Sequence, residues 1–151
     1  MSSTEGRGEI YFEDIFTVTK KDPDGRKFDR VSRLIGVGEQ FEMDLILDVN
    51  TFLYPLNKDD KFTLALAPKL SLREGVQDSA YFDQSGEPNL ADKYEYVMHG
   101  KLYKYAVEER SKKGEIYISF GGLLMMLRGD PEQLQKLEQD QRLYLLIRKV
   151  S

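Results

Sequence analysis

Apolar and polar residues alternate along most of this chain with a period of two, which is typical of β-strands. The alternation is clearest in residues 41–50, where every second residue is apolar and most of the others are acidic or amide side chains. Such a segment predicts a strand with one face in a hydrophobic core and the other toward water. Similar patterns recur in residues 10–19, 28–35, 61–67, 94–105 and 142–150, and in an apolar stretch from 116 to 130.

Turn signals separate these segments. Asp22-Pro23-Asp24-Gly25 predicts a hairpin between the first two strands, because proline fixes φ and glycine accepts a positive φ. Gly36-Val37-Gly38 predicts a second turn, before the third strand. Strands of this number, length and spacing predict an all-β fold, a closed or nearly closed antiparallel barrel of about eight strands. Asp130 followed by proline adds one short helix near Pro131–Glu138, since aspartate caps a helix N-terminus.

The 151 residues are accommodated in one domain with a single hydrophobic core. We expect residues 1–9 to form a flexible tail and residues 10–151 to form the barrel. Between about 71 and 92 the periodicity fades and turn residues accumulate, which predicts a long mobile loop.

Composition excludes several classes of function. The chain has no cysteine and one histidine, His99, so thiolate and multi-histidine metal sites are excluded. No apolar run approaches the roughly 20 residues that cross a bilayer. Asp44 and Asp48 share a strand face, but we interpret them as a solvated surface rather than as a catalytic pair. We therefore expect no catalytic residue, no cofactor, no metal, no membrane contact and no small-molecule substrate.

A pair of adjacent glycines, Gly121 and Gly122, interrupts the most apolar stretch of the chain. Glycines in such a setting mark a sharp bend, a bulge or a close approach by another backbone. The stretch is therefore a candidate for a corner of the barrel wall or for the place where a partner docks, and the residue pattern leaves both open.

Basic residues cluster around the first predicted hairpin. Three of them, Lys27, Arg30 and Arg33, are candidates for contacting phosphates or an acidic partner. The favoured alternative is a solvated hairpin whose charges pair with neighbouring aspartates, since charge runs alone discriminate weakly. The net charge of -4 also argues against binding nucleic acid mainly by neutralising phosphates.

Seven segments, taken in order, resemble the eighth subunit of the eukaryotic nuclear RNA polymerases, the small subunit shared by polymerases I, II and III. The segments are 12–16, 27–34, 43–50, 60–62, 94–98, 121–125 and 142–146. The resemblance implies a barrel of the oligonucleotide/oligosaccharide-binding (OB) kind, built from two similar halves. It also implies a non-catalytic subunit in the nucleus and nucleolus that docks on the largest polymerase subunit, supports assembly, and meets DNA and RNA only indirectly.

With this resemblance, the double-glycine stretch becomes the leading partner-binding candidate, because glycines expose backbone amides to an added strand. We expect it both to bend the barrel wall and to present that bend to the partner. Strand parity lets only some side chains of the apolar run face the core, which leaves Leu124 or Met126 to contact the partner. The predicted partner-binding residues are Gly121, Gly122, Leu123, Leu124, Met125, Tyr94 and Tyr96. The alternative function is a free-standing OB-type protein that binds single-stranded nucleic acid.

Overall fold

The computed structural model describes residues 9–26, 28–72 and 88–150. Within these ranges the chain forms eight strands, all paired antiparallel into a closed barrel. The strands are β1 (Phe12–Lys21), β2 (Val31–Gly38), β3 (Asp44–Asn50), β4 (Lys61–Ala67), β5 (Tyr96–Val107), β6 (Gly114–Phe120), β7 (Leu123–Gly129) and β8 (Arg142–Lys149). The predicted all-β class and closed barrel are confirmed.

The barrel consists of two halves with the same strand order. Around the barrel the order is β1-β2-β3-β7-β6-β5-β8-β4, so the halves read β4-β1-β2-β3 and β8-β5-β6-β7. Each half is a Greek key, in which the fourth strand returns beside the first. The halves meet where β3 pairs with β7 and where β4 pairs with β8. These two junctions, the β3–β7 seam and the β4–β8 seam, lie on opposite sides of the barrel and agree with the two similar halves that the resemblance implies.

Alternate residues of every strand fill the barrel interior. In β3 the predicted inward residues Leu45, Leu47 and Val49 are buried, and Phe16 of β1 stacks on Phe62 of β4 with ring centroids 6.1 Å apart. Inward aliphatic and aromatic side chains of this number supply the main stabilisation of the fold. The period-two pattern therefore predicted the core correctly.

A smaller hydrophobic cluster lies outside the barrel, over the β4–β8 seam. Ala65 and Leu146 point outward from paired positions of β4 and β8, and both are completely buried. They are covered by the chain between β4 and β5, which contributes Leu70, Leu72 and Leu90. This connection thus covers the outer face of the β4–β8 seam.

The predicted loop at 71–92 lies partly outside the described residues, as do residues 1–8 of the predicted tail. The described ends of the loop are ordered by local hydrogen bonds. Ser71 pairs with Asn89, and Asn89 caps a 3-10 turn at Leu90–Lys93 in a reciprocal capping box with Asp92. The two described ends of this segment are thereby fixed to each other.

The short helix predicted near Pro131–Glu138 is a single 3-10 turn, Pro131–Leu134, and ends before Glu138. Asp130 caps it as expected, accepting the Glu132 N–H at 2.9 Å. Leu134 ends the turn, and the Leu137 N–H donates to the Leu134 carbonyl at 3.0 Å in the turn that follows. Both leucines reach the core, with 0% and 3% of their surface exposed. Burial of both leucines favours this tight turn before the chain enters β8.

The turn predicted at Gly36-Val37-Gly38 is wrong, because β2 continues through these residues. A Cβ on Gly36 would lie 3.0 Å from the Thr17 carbonyl oxygen, and one on Gly38 would lie 2.6 Å from Asp14 Oδ2. The glycines therefore allow β1 to approach β2 closely inside a strand, which is the other common reason for glycine in a sheet.

Candidate functional site

Gly121 and Gly122 form the two-residue turn of the β6–β7 hairpin. Phe120 and Leu123 face each other as the last pair of the ladder, and the two glycines have φ of 66° and 105°. Two-residue hairpin turns of this type require positive φ at both central positions, which is why glycine is preferred. The expected bend within the barrel wall is therefore wrong: the glycines turn the chain between two neighbouring strands, and both are exposed.

Gly122→Val is expected to reduce the free energy of unfolding by about 1–2 kcal/mol, because valine strongly disfavours positive φ. A Cβ at either glycine meets no atom within 4 Å, so the cost comes from the backbone alone. Gly121→Asn is the matched control, since asparagine tolerates the left-handed region. Thermal unfolding compares the two variants, and equal melting temperatures would contradict this description of the turn.

The side chains after the turn alternate as strand parity predicted. Met125 is 1% exposed and lies in the core, while Leu124 points outward and is 37% exposed. Leu123 is partly buried and closes the end of the core, and Met126 is partly exposed on the outer face. The turn backbone and Leu124 are thus the parts of the hairpin that a partner reaches.

Asp48 fixes this hairpin to the rest of the barrel. Arg33 donates two hydrogen bonds to its carboxylate, from Nε at 2.7 Å and from Nη2 at 3.0 Å. Asp48 Oδ2 also accepts the Leu124 N–H at 2.9 Å. The carboxylate therefore links β2, β3 and β7, and its hydrogen bonds raise the pKa of the Arg33 guanidinium.

The solvated position that the sequence predicted for Asp48 is wrong, since only 6% of the residue is exposed. The Arg33 side chain and the hairpin backbone cover it. Sequence reasoning missed this residue as a determinant of the site. The β2–β3 pairing, which places Arg33 opposite Asp48, is the signal that could have identified it.

The structure describes two of the three predicted basic contacts, Arg30 and Arg33, and gives them different surroundings. Arg33 is neutralised by Asp48, and Lys27 lies outside the described residues. Arg30 places its guanidinium carbon 4.6 Å from the centre of the Phe52 ring, a cation–π arrangement. Phe52 is itself 65% exposed, so this loop presents an aromatic surface with one cation on it.

Tyr96 lies at the end of the barrel that carries the hairpin turn. Its ring stacks on Tyr54 with centroids 5.4 Å apart, and its hydroxyl accepts the N–H of Asn50, the last residue of β3, at 3.1 Å. Burial raises the pKa of Tyr96. The structure thus brings Tyr96 to the same barrel end as Gly121 and Gly122, in a structural contact that supports the end of β3.

Tyr94 is not brought together with the hairpin. Its ring packs against the outer cluster over the β4–β8 seam, and its hydroxyl donates to Glu13 Oε2 at 3.1 Å. Burial and the nearby Glu13 carboxylate raise the pKa of Tyr94 to about 12. Tyr94 therefore holds the start of β5 to β1, away from the predicted contact.

The raised tyrosine pKa values predict a loss of stability in alkali. An unfolded tyrosine loses its proton near pH 10, whereas folded Tyr94 keeps it to about 12. The stabilisation is fully present below about pH 10 and is lost as the pH rises toward 12. The melting temperature should fall across this window, and should fall less steeply in Tyr94→Phe. Identical pH profiles for the two proteins would contradict the Glu13 contact.

His99 and the acidic side chains were the remaining candidates for catalysis or metal binding. The His99 ring packs on Tyr144 with centroids 4.4 Å apart. Among the described residues, no group of three or more histidine, aspartate or glutamate side chains could hold a metal ion. No helix in that part of the chain is long and apolar enough to cross a membrane.

Comparison with known proteins confirms the resemblance found in the sequence. A family model described as RNA polymerase Rpb8 matches residues 13–149. Subunit 8B of DNA-directed RNA polymerases II, IV and V from Arabidopsis thaliana is 55% identical over 142 residues, covering 93% of this chain and 97% of the relative.

Two further relatives carry names of subunits of polymerases I, II and III. The rpabc3 subunit from Dictyostelium discoideum is 49% identical over 140 residues, covering 93% of this chain and 97% of the relative. The RPABC3 subunit from Saccharomyces cerevisiae is 40% identical over 146 residues, with coverages of 91% and 97%. The family match includes every strand of the barrel except the first residue of β1, and the chain belongs to the RNA polymerase Rpb8 family.

Proposed function

We propose that this protein is a non-catalytic structural subunit of the nuclear DNA-directed RNA polymerases, which docks on their largest subunit and supports assembly. The observation that carries the proposal is the family match over residues 13–149, with relatives that are each named as polymerase subunits. The protein works in the nucleus, including the nucleolus, without an active site of its own. It meets DNA and RNA only through the assembled enzyme.

The relatives differ in the polymerases that their names give. Two are named for polymerases I, II and III, and the plant relative for II, IV and V. We take polymerases I, II and III as the set that shares this subunit. Purification from cells separates the sets directly, because the largest subunits of the polymerases are different proteins.

The β6–β7 hairpin is the proposed docking element. Its turn exposes backbone at Gly121 and Gly122, and Leu124 adds an exposed apolar side chain. Backbone without side chains suits pairing with an extended partner segment. Asp48 holds the hairpin in place before any partner arrives, and preorganisation of this kind reduces the entropic cost of binding.

Affinity purification of the tagged full-length chain from nuclear extract tests the function. We expect polymerase subunits in stoichiometric amounts, including the largest subunit of each polymerase. The isolated chain should bind single-stranded oligonucleotides weakly, since its net charge is -4 and Arg33 is already paired. Tight, salt-sensitive oligonucleotide binding without recovery of polymerase would instead favour the free-standing nucleic-acid-binding protein.

A further inference from the structure

The outer face of the barrel carries a row of apolar side chains across four neighbouring strands. Strand register pairs Ile35 with Ile46, Ile46 with Met126, and Met126 with Tyr117. Paired residues point to the same side of a sheet, and all four are partly exposed. Outer faces of antiparallel sheets are ordinarily polar. We call Ile35, Ile46, Met126 and Tyr117 the seam row, because it crosses the β3–β7 seam.

On the opposite side of the barrel, the chain itself covers a comparable apolar outer face. Over the β4–β8 seam, the outward pair Ala65 and Leu146 is completely buried by the chain's own Leu70 and Leu90. The two seams join equivalent strands of the two halves, yet the seam row keeps partial exposure. The described part of the chain therefore covers one seam completely and leaves the other partly exposed.

Exposed apolar residues extend the seam row on both sides. Val37 is 41% exposed and Leu124 is 37% exposed on the adjoining rows, and Tyr103 at 43% lies 6.2 Å from the Tyr117 ring. Grouped apolar exposure of this kind marks interaction surfaces on soluble proteins. Because Leu124 belongs to the β6–β7 hairpin, the surface is continuous with the proposed docking element.

Carboxylates outnumber cations around Arg128, beside the seam row, whereas Lys104 places its ammonium 5.2 Å from the centre of the Tyr117 ring. Arg128 is surrounded by the carboxylates of Asp44, Glu108 and Glu115, at 3.9, 3.2 and 3.6 Å. Asp44, Arg128 and Glu115 occupy paired positions two residues along from the row. Three carboxylates face one guanidinium, so a cation on a partner would be attracted to this side.

We propose that a segment of a polymerase subunit docks along the seam row. It places apolar side chains over Ile46 and Met126, and a lysine or arginine toward Asp44 and Glu108, the two more exposed carboxylates around Arg128. An apolar centre with a charged rim is the usual composition of a protein interface. The inference rests on the proposed function and extends the docking surface from the hairpin turn onto the barrel wall.

Met126→Glu tests the apolar part of the surface. In cells that also express the wild-type subunit, the tagged variant should recover about ten-fold less of the largest polymerase subunit than the tagged wild type, because a charge enters the centre of the contact. Its melting temperature should remain unchanged, since the side chain points outward. Thr63→Glu is the matched control, because it adds the same charge at a partly exposed, outward position of β4.

The acidic side has its own test. Asp44→Asn combined with Glu108→Gln should reduce recovery of the largest subunit at low salt, and the difference should disappear at high salt, because screening weakens exposed charge interactions. Glu132→Gln combined with Glu138→Gln is the control at exposed positions elsewhere. Equal recovery for the two double variants at low salt would overturn the predicted basic residue of the partner.

The outcomes separate this inference from the proposed function. If wild type recovers polymerase and Met126→Glu recovers as much, the seam row is not the docking surface while the subunit assignment stands. If wild type recovers no polymerase, the proposed function fails and the inference fails with it. If the isolated wild type self-associates in sedimentation and Met126→Glu abolishes this, the occupant is a second copy of the chain and the proposal is overturned.

Discussion

Gly100→Ala is expected to reduce the free energy of unfolding by about 3 kcal/mol or more, because the new methyl group has no space. Gly100 of β5 pairs with Leu143 of β8 and also lies against the β6–β7 hairpin. A Cβ there would overlap the carbonyl oxygen of Ser119 and lie 2.7 Å from the Phe120 ring. Ser119 and Phe120 are the last two residues of β6, within the ladder that forms the hairpin. The hairpin as a whole would therefore have to move.

Thermal unfolding measures this effect, and a loss of roughly 6–12 °C in melting temperature is expected. Gly129→Ala is the matched control, because the three atoms nearest to its Cβ all belong to the unbranched side chain of Met43 and none to the backbone. Neither glycine has positive φ, so the comparison isolates steric contact from backbone strain. A larger loss in Gly129→Ala than in Gly100→Ala would contradict the close packing of β5 against the hairpin.

Asp48→Ala is expected to cost about 3 kcal/mol, because it removes the shared acceptor of three hydrogen bonds. Arg33 would lose both of its bonds to the carboxylate, and the Leu124 N–H would lose its partner in a partly buried position. Arg33 is partly exposed and keeps its access to water after the substitution. The expected loss of stability is therefore at the lower end of the range for breaking a buried ion pair.

Asp48→Asn separates the two roles of this side chain. The amide oxygen can still accept the Leu124 N–H, but the charge that neutralises Arg33 is gone. Urea unfolding should therefore give an order of stability of wild type, Asp48→Asn, then Asp48→Ala. If Asp48→Ala were as stable as wild type, the carboxylate would not hold the hairpin. Loss of polymerase recovery should follow the same order, because a loosened hairpin is no longer preorganised.

Most of the fold could be predicted from the sequence, because a period of two identifies strands and their buried faces. Residues 61–67 were predicted as a strand and form β4 with the same bounds. The errors occur where a local pattern depends on a distant neighbour. Gly36 was interpreted as part of a turn, yet it permits contact with β1.

The candidate site was predictable only in part, for the same reason. Strand parity left Leu124 or Met126 for the outer face without any knowledge of the fold, and both are at least partly exposed. Met125, which was also predicted as a contact, is 1% exposed and lies in the core. The contact between Asp48 and Leu124 joins residues that are distant in the sequence, and it depends on β3 lying beside β7. No local signal specifies that neighbour, because the Greek-key order of the two halves is set by packing of the complete barrel.

Tyr94 and Tyr96 show a second limit of predicting contacts from the sequence. Tyr94 and Tyr96 are close in the sequence and were predicted to share a partner-binding role, which stays a prediction. The structure gives them different surroundings: Tyr94 bonds to Glu13 of β1, and Tyr96 supports Asn50 at the end of β3. Side chains at the start of a strand can face different neighbours, which composition alone does not reveal.

Site-directed cross-linking within the assembled enzyme tests whether the β6–β7 hairpin docks on the largest polymerase subunit. The chain has no cysteine, so Leu124→Cys introduces a single reactive thiol at the exposed hairpin, and Lys136→Cys introduces one at an exposed control position. Each variant is labelled with a thiol-directed photo-cross-linker and purified with the polymerase. Docking through the hairpin predicts a cross-link from position 124 to the largest subunit and none from position 136. A cross-link to the largest subunit from position 136, with none from position 124, would contradict docking through the hairpin.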